Sequence, residues 1–230
     1  MRGHKRILSI DIGGTGLKAM IVSDTGKPLS ERVRVLTPRP ATPEAVLSAL
    51  NELVAPLGEY ERVSIGFPGV VADGLTLWAP NLHEAWRGFP LSKAMASKTG
   101  RPVRLENDAA MQGWAVIERK GLEILLTLGT GFGSAVYVDG RHVPNLELGH
   151  RPFRKGYTYD EYVGRAAFEK VGKKKWNKRI VKVIEQALRF KPRRLYIGGG
   201  NAKHLDLARL PPEVTVVPNI MGLLGGPALW

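Results

Sequence analysis

The chain has 230 residues, 43 % of them hydrophobic, with no cysteine and a formal net charge of +13. That length can bury a full core in one large domain or two modest lobes, and no apolar run approaches the ~20 residues a membrane span needs. The absence of cysteine removes disulfides, thiol catalysis and cysteine-ligated zinc, and the expected setting is cytoplasmic. The basic Met1-to-Arg6 start leads straight into a strand, with no signal-peptide cleavage site.

In chain order, Lys5–Ile12 and Leu17–Val22 read as strands joined by a glycine turn, Ile12-Gly13-Gly14-Thr15-Gly16. A strand that stops at such a turn presents backbone N–H groups that can close on a phosphate oxygen. Asp11 is placed to hold Mg²⁺, directly or through water, while Thr15 and Lys18 can reach phosphate oxygens. A plain hairpin with a chance Asp before it is the alternative. A second turn, Ser23 to Lys27, leads to a third strand, Glu31–Leu36, completing an antiparallel meander.

After a Pro-rich link, Thr42 as N-cap and Pro43 at the first helical position predict a helix to about Leu57, with Val46, Leu47, Leu50, Leu53 and Val54 on one stripe. The strand Arg62–Phe67 runs into a long irregular stretch containing Trp78, Asn81, Trp86 and Phe89. Polar groups among aromatics on a loop suit a sugar; a surface loop pinned by tryptophans is the alternative. A helix Leu91–Thr99 and a strand Pro102–Leu105 lead to Glu106-Asn107-Asp108-Ala109-Ala110, where Asn107 or Asp108 caps a helix Ala109–Glu118.

The stretch Ile124–Gly140 then repeats the plan of Ile7–Gly26: apolar strand, Gly-Thr-Gly turn, second strand, Asp-Gly turn. The duplication predicts two similar lobes, each offering a glycine turn to one bound phosphate chain. Rival nucleotide motifs fail, since Gly129-x-Gly131 is followed by Ser134 where the dinucleotide fingerprint wants glycine. Glu147 and His150 flank Gly149. Two helices follow, Asp160–Lys170 and Lys174–Phe190, the second with Trp176, Ile180, Ile184 and Leu188 on one face. A strand Leu195–Ile197 enters Gly198-Gly199-Gly200, a third corner able to accept an anion or nucleotide, and Asn201 caps a helix to about Leu210. A strand Val214–Val217 precedes the glycine-broken end Asn219–Trp230.

The charge is uneven: between Arg151 and Arg194 fifteen Lys/Arg stand against four Asp/Glu. Such a segment attracts a polyanion, with a solvated helix face as the alternative.

Asp11-Ile-Gly-Gly-Thr, Glu106-Asn-Asp-Ala, Leu128-Gly-Thr-Gly, Glu147-Leu-Gly-His and Gly198-Gly-Gly, in this order, resemble the ROK family of sugar kinases and repressors, most of all its polyphosphate-glucokinase-related branch. The resemblance implies an α/β, two-lobed actin-like, hexokinase-type fold with duplicated ribonuclease H-like lobes around a hinged cleft. Residues 1–106, with 219–230 packing back, would form the N-terminal lobe. Residues 107–218 would form the C-terminal lobe, carrying the catalytic Asp, the second phosphate turn and the basic helices. The implied reaction moves a phosphoryl group to the 6-hydroxyl of a hexose, glucose first, from polyphosphate or ATP with Mg²⁺. An ATP-dependent kinase of another hexose or amino sugar, and a non-catalytic sugar sensor, are the alternatives.

By the same resemblance Asp108 would be the base, and Asn81, Asn107, Glu147 and His150 would bind sugar hydroxyls. A further sugar-binding acid falls on Asp160 or Glu161, with Asp160 aligning better. Gly13, Gly14, Thr15, Lys18, Gly129, Thr130 and Gly131 would hold the donor phosphates, with Gly198, Gly199 and Gly200 at the donor's far side and Asp11 near Mg²⁺. Zinc is not expected, because the family's cysteine cluster is missing. No helix-turn-helix precedes Ile7, so neither the repressor branch nor a nucleic-acid partner is expected; a homodimer stays open.

Overall fold

The apolar run before the first glycine turn becomes β1 (Arg6–Ile12), the middle strand of a five-stranded sheet. A computed structural model describes residues 5–230, so the first four residues of the basic start lie outside the described residues. The chain divides into two compact units, residues 5–115 with 220–230, and residues 116–219.

In the first unit, β1 pairs antiparallel with β2 (Gly16–Ser23), which pairs antiparallel with β3 (Val33–Leu36). Pro43–Val54 forms α1. The Thr42 hydroxyl accepts the Ala45 N–H at 3.3 Å, and Val46, Leu47, Leu50, Leu53 and Val54 are buried, as expected. On the other side of β1 lies β4 (Arg62–Phe67), in parallel. Alternation along β1 divides its work: Leu8, Ile10 and Ile12 join the cluster containing α1, whereas Ile7 packs with Leu223.

The stretch read as irregular contains a hairpin, β5 (Val70–Ala72) and β6 (Leu75–Trp78). It turns at Asp73-Gly74, both with positive φ (50° and 78°), the backbone that an Asp-Gly hairpin turn requires. Trp86 is fully buried against Phe67 and Phe89 and donates its ring N–H to Ala41 O at 2.8 Å. That tryptophan therefore pins the loop to the core, while Trp78 stays 40 % exposed. Helix α2 (Leu91–Thr99) leads to β7 (Val103–Asn107), parallel to β4, and α3 (Asp108–Trp114).

The chain end completes this unit. Ser9 Oγ donates to Leu223 O at 2.6 Å beside the short α6 (Met221–Leu224), and Ser64 Oγ donates to Gly226 O at 2.8 Å. The Trp230 ring carries the Arg62 and Arg104 guanidiniums at 4.7 and 4.5 Å from its centroid. Helix α3 packs against β4 and this segment, so closely that a β-carbon on Gly225 would strike Met111 O. The unit boundary consequently falls after Ala115, and Asp108 lies in the first unit, not in a second lobe opening at 107.

The second unit repeats the topology. β8 (Leu122–Leu128) pairs antiparallel with β9 (Phe132–Val138), and β9 pairs antiparallel with β10 (Arg141–Val143). Farther along are a small ribbon, β11 (Pro152–Arg154) with β12 (Tyr157–Thr158), then α4 (Tyr159–Val163) and α5 (Arg165–Leu188). Gly172 breaks α5 with φ 74°, close to the expected gap between two helices. Trp176, Ile180 and Ile184 are buried, and Trp176 donates its ring N–H to Val163 O at 2.8 Å. β13 (Arg194–Gly198) and β14 (Val214–Val216) add in parallel. The orders β3-β2-β1-β4-β7 and β10-β9-β8-β13-β14 match strand for strand in direction.

The helix expected from Asn201 to Leu210 is replaced by two 3-10 turns, Ala202–His204 and Leu207–Arg209. Tertiary hydrogen bonds take over the backbone there: Asn177 Oδ1 accepts the Asp206 N–H at 2.7 Å, and its amide donates to His204 O at 3.1 Å. Helix α3 likewise stops short of the expected Glu118. Glu123, fully buried, instead accepts the N–H groups of Glu118 and Lys120 at 2.7 and 3.2 Å. Among the described residues no helix is long and apolar enough to cross a membrane.

Candidate active site

In the first unit, the glycine turn links Ile12 and Leu17, which face each other across β1 and β2, so four residues close the hairpin. Within it the Gly13 N–H donates to Gly16 O at 3.1 Å. Asp11 and Lys18 are cross-strand partners, and Lys18 Nζ lies 2.6 Å from Asp11 Oδ2. Lys18 thus grips the carboxylate expected to serve a metal. Asn81 is exposed and sits against the turn: a β-carbon on Gly14 would lie 3.4 Å from Asn81 Cβ.

Asn107 ends β7 and caps α3, accepting the Ala110 N–H at 3.1 Å, while its amide donates to Gly69 O at 3.2 Å. Asp108 follows at the first helical position, its Oδ1 accepting the Ala109 N–H at 2.7 Å. Gly66 on β4 makes room for it, since a β-carbon there would come within 3.3 Å of Asp108 Cα. The neighbouring Glu106 is pushed above the usual carboxylate range by burial.

In the second unit, Leu128 faces Phe132, so three residues, Gly129, Thr130 and Gly131, close the turn. Asp160 wedges against it. Its carboxylate accepts the Phe132 N–H and lies 4.0 Å from His150 Nε2. A β-carbon on Gly131 would sit 2.6 Å from Asp160 Oδ2, and one on Gly149 2.8 Å from Oδ1. The carboxylate thus fills the space at Gly131 and shares that at Gly149 with the Phe132 carbonyl, which a β-carbon there would strike first. Glu161 is occupied elsewhere: it closes a capping box with Thr158 at the start of α4.

Glu147 takes a left-handed backbone, φ 43°, which costs a non-glycine residue about 1–3 kcal/mol. Burial raises the pKa of Glu147, an effect that nearby His150 opposes and Asp160 reinforces. Burial also raises Asp160, against the pull of its Phe132 hydrogen bond and of His150. The second unit thus gathers Gly129–Gly131, Glu147, His150 and Asp160. Gly199 has φ 86° and packs onto the strand before the turn, where a β-carbon would strike Leu128 O, while Gly200 faces open space.

The sequence model of the ROK family matches residues 7–155. The chain belongs to the ROK family. It is 34 % identical, over 94 % of its length and 88 % of the relative's, to the polyphosphate glucokinase of Mycobacterium tuberculosis. The inorganic polyphosphate/ATP-glucomannokinase of Arthrobacter sp. strain KM superposes with a TM-score of 0.87 at 32 % identity, covering 97 % of each chain. The N-acetylmannosamine kinase of Shigella flexneri is 38 % identical, but only over 59 % of this chain and 48 % of its own. The duplicated α/β sheets are those of the actin-like, hexokinase-type sugar kinases.

Residues that sequence reasoning left out of the site are Thr37, Arg39 and Arg165, and Asn201 was read only as a helix cap. Each binds a carbonyl of one glycine turn. No motif marks such contacts, because they join positions far apart in the chain. Among the described residues no group of three or more His, Asp or Glu could hold a metal. A single carboxylate at Asp11 fits Mg²⁺ that is held mainly by donor phosphates and water, the usual mode for that ion.

Proposed function

We propose that this chain is a hexokinase-type phosphotransferase that moves a phosphoryl group from polyphosphate or ATP to the 6-hydroxyl of a hexose, with glucose the first substrate. One observation carries the reading: Asp108 stands at the β7–α3 junction of a chain in which both sheets bear a Gly/Thr turn. Phosphoryl transfer asks a protein for positioning, charge neutralisation and one carboxylate that takes the attacking hydroxyl's proton.

In this reading Asp108 is that base, and Asn81, Asn107, Glu147, His150 and Asp160 are the residues assigned to sugar hydroxyls, with Glu147 and Asp160 accepting in their ionised forms. The two glycine turns hold donor phosphates through their amides. Asp11 would hold Mg²⁺, which when bound neutralises phosphate charge, and Lys18 offers the phosphates a cation beside it. The basic segment from Arg151 to Arg194 supplies a track for a long donor. Gly198–Gly200 borders the place of an ATP base or a polyphosphate tail.

The test is kcat/KM for glucose, mannose and N-acetylmannosamine, each with polyphosphate and with ATP. Glucose or mannose with polyphosphate should lead. A clear preference for N-acetylmannosamine would move the substrate to the amino sugars, and absence of transfer in every combination would overturn the enzyme reading.

A further inference from the structure

A peptide plane points its C=O and the following N–H in opposite directions. Whatever grips the carbonyls of a turn therefore decides which way its amides face. In the first turn Thr37 Oγ1 donates to Gly13 O at 2.5 Å, Arg39 Nη2 to Gly14 O at 2.8 Å, and the Thr37 N–H to Thr15 O at 3.3 Å. Three successive carbonyls are drawn toward one short segment, and the N–H groups of Gly14 and Thr15 are turned the other way.

The second turn is held by different residues to the same effect. Asn201 Nδ2 donates to Gly129 O at 2.7 Å, and the Arg165 N–H donates to Thr130 O at 3.1 Å. Arg165 Nη2 then donates to Asn201 Oδ1 at 3.1 Å, tying the two holders together. The N–H groups of Thr130 and Gly131 face away from them. Thr37 is 6 % exposed and Asn201 2 %. Burying such polar side chains is costly unless they are hydrogen-bonded, and here the bonds go to the turns.

We infer that Thr37 and Asn201, with Arg39 and Arg165, are positioning residues: they hold the turn carbonyls back so that the opposite amides face the donor phosphate. This rests on the kinase reading for the identity of the anion. It makes the two turns phosphate-ready by separate means, and it gives Arg39 a neutral task, hydrogen bonding, alongside its charge.

The experiment measures tripolyphosphate affinity by calorimetry, together with donor KM and glucose KM, for Thr37→Val, Thr37→Ser, Asn201→Leu, Arg39→Ala and Arg39→Gln. Losing one such hydrogen bond, worth about 1 kcal/mol, should weaken tripolyphosphate binding and raise donor KM about fivefold in Thr37→Val, Asn201→Leu and Arg39→Ala. Thr37→Ser, which keeps the hydroxyl donor, should stay near wild type, Arg39→Gln should recover part of the loss seen in Arg39→Ala, and glucose KM should not move. Donor affinity unchanged in Arg39→Ala, which is exposed and little exposed to folding effects, and in Thr37→Val would overturn the inference. So would a parallel rise in glucose KM, or a wild-type protein that binds no tripolyphosphate. A wild type that binds tripolyphosphate yet phosphorylates no hexose would sink the kinase reading alone, with the affinities of the variants still judging the positioning role.

Discussion

The two units share one strand order but not one set of tools. The first closes its leading hairpin with four residues held by Thr37 and Arg39, a few positions beyond the next strand. The second uses three residues held by Arg165 and Asn201, far along the chain. The edge strand also ends differently. In the first unit β7 runs into Asn107-Asp108 and a helix, whereas its counterpart β14 runs into Val217-Pro218 with no acid. Conversely, the half-buried acids Glu147 and Asp160 gather beside the second turn. The two units keep the same sheet order and a glycine turn after the leading strand, and they differ in the side chains that the proposed function assigns to the sugar.

The largest effect expected from that asymmetry is at Asp108. Asp108→Asn should lower kcat by about 10²–10⁴-fold with glucose KM little changed, because proton transfer is lost while contacts remain. Next come the cores, where the units are alike: Trp86 and Trp176 are both fully buried and both donate to a backbone carbonyl at 2.8 Å. Either Trp→Ala change should cost about 3–5 kcal/mol of stability in denaturant melts. A much cheaper loss in one of them would show that the units do not rely equally on this anchor.

A smaller effect separates the units by pH. Burial raises Glu147 above its ordinary 4.5 and Asp160 above 3.8, so both take up protons earlier than free carboxylates as pH falls. Glucose KM should therefore climb on acidification, starting above the ordinary carboxylate range, and Glu147→Gln should raise KM at neutral pH and flatten that limb. The linkage sign for stability is opposite: an acid whose folded pKa is raised contributes less stability as pH rises from the unfolded value through the folded one. The smallest effect belongs to the basic helix. Changing Lys173, Lys174 and Lys175 to Gln should raise polyphosphate KM a few-fold at low salt, leave ATP KM unchanged, and fade at high salt.

Much of this was legible in the residues. The echo of Ile7–Gly26 in Ile124–Gly140 appears as matching sheets, and the Thr42-Pro43 start of α1 follows from its capping chemistry. The Asp73-Gly74 hairpin carried a readable signal that aromatic content obscured. Other features were out of reach because distant groups decide them. Asn177 and Glu123 capture backbone that local propensity assigns to helices. The space left by Gly131 becomes intelligible only with the Asp160 carboxylate in place. The placement of Asp108 in the first unit depends on a C-terminal segment more than a hundred residues away.

The central claim is phosphoryl transfer to a hexose hydroxyl, and ³¹P NMR of the wild-type protein with glucose, Mg²⁺ and polyphosphate or ATP tests it most directly. The account predicts a new phosphomonoester on the 6-oxygen of glucose, formed as the donor is shortened or ADP appears. Glucose bound without any phosphate ester from either donor, or an ester on another oxygen, would contradict it.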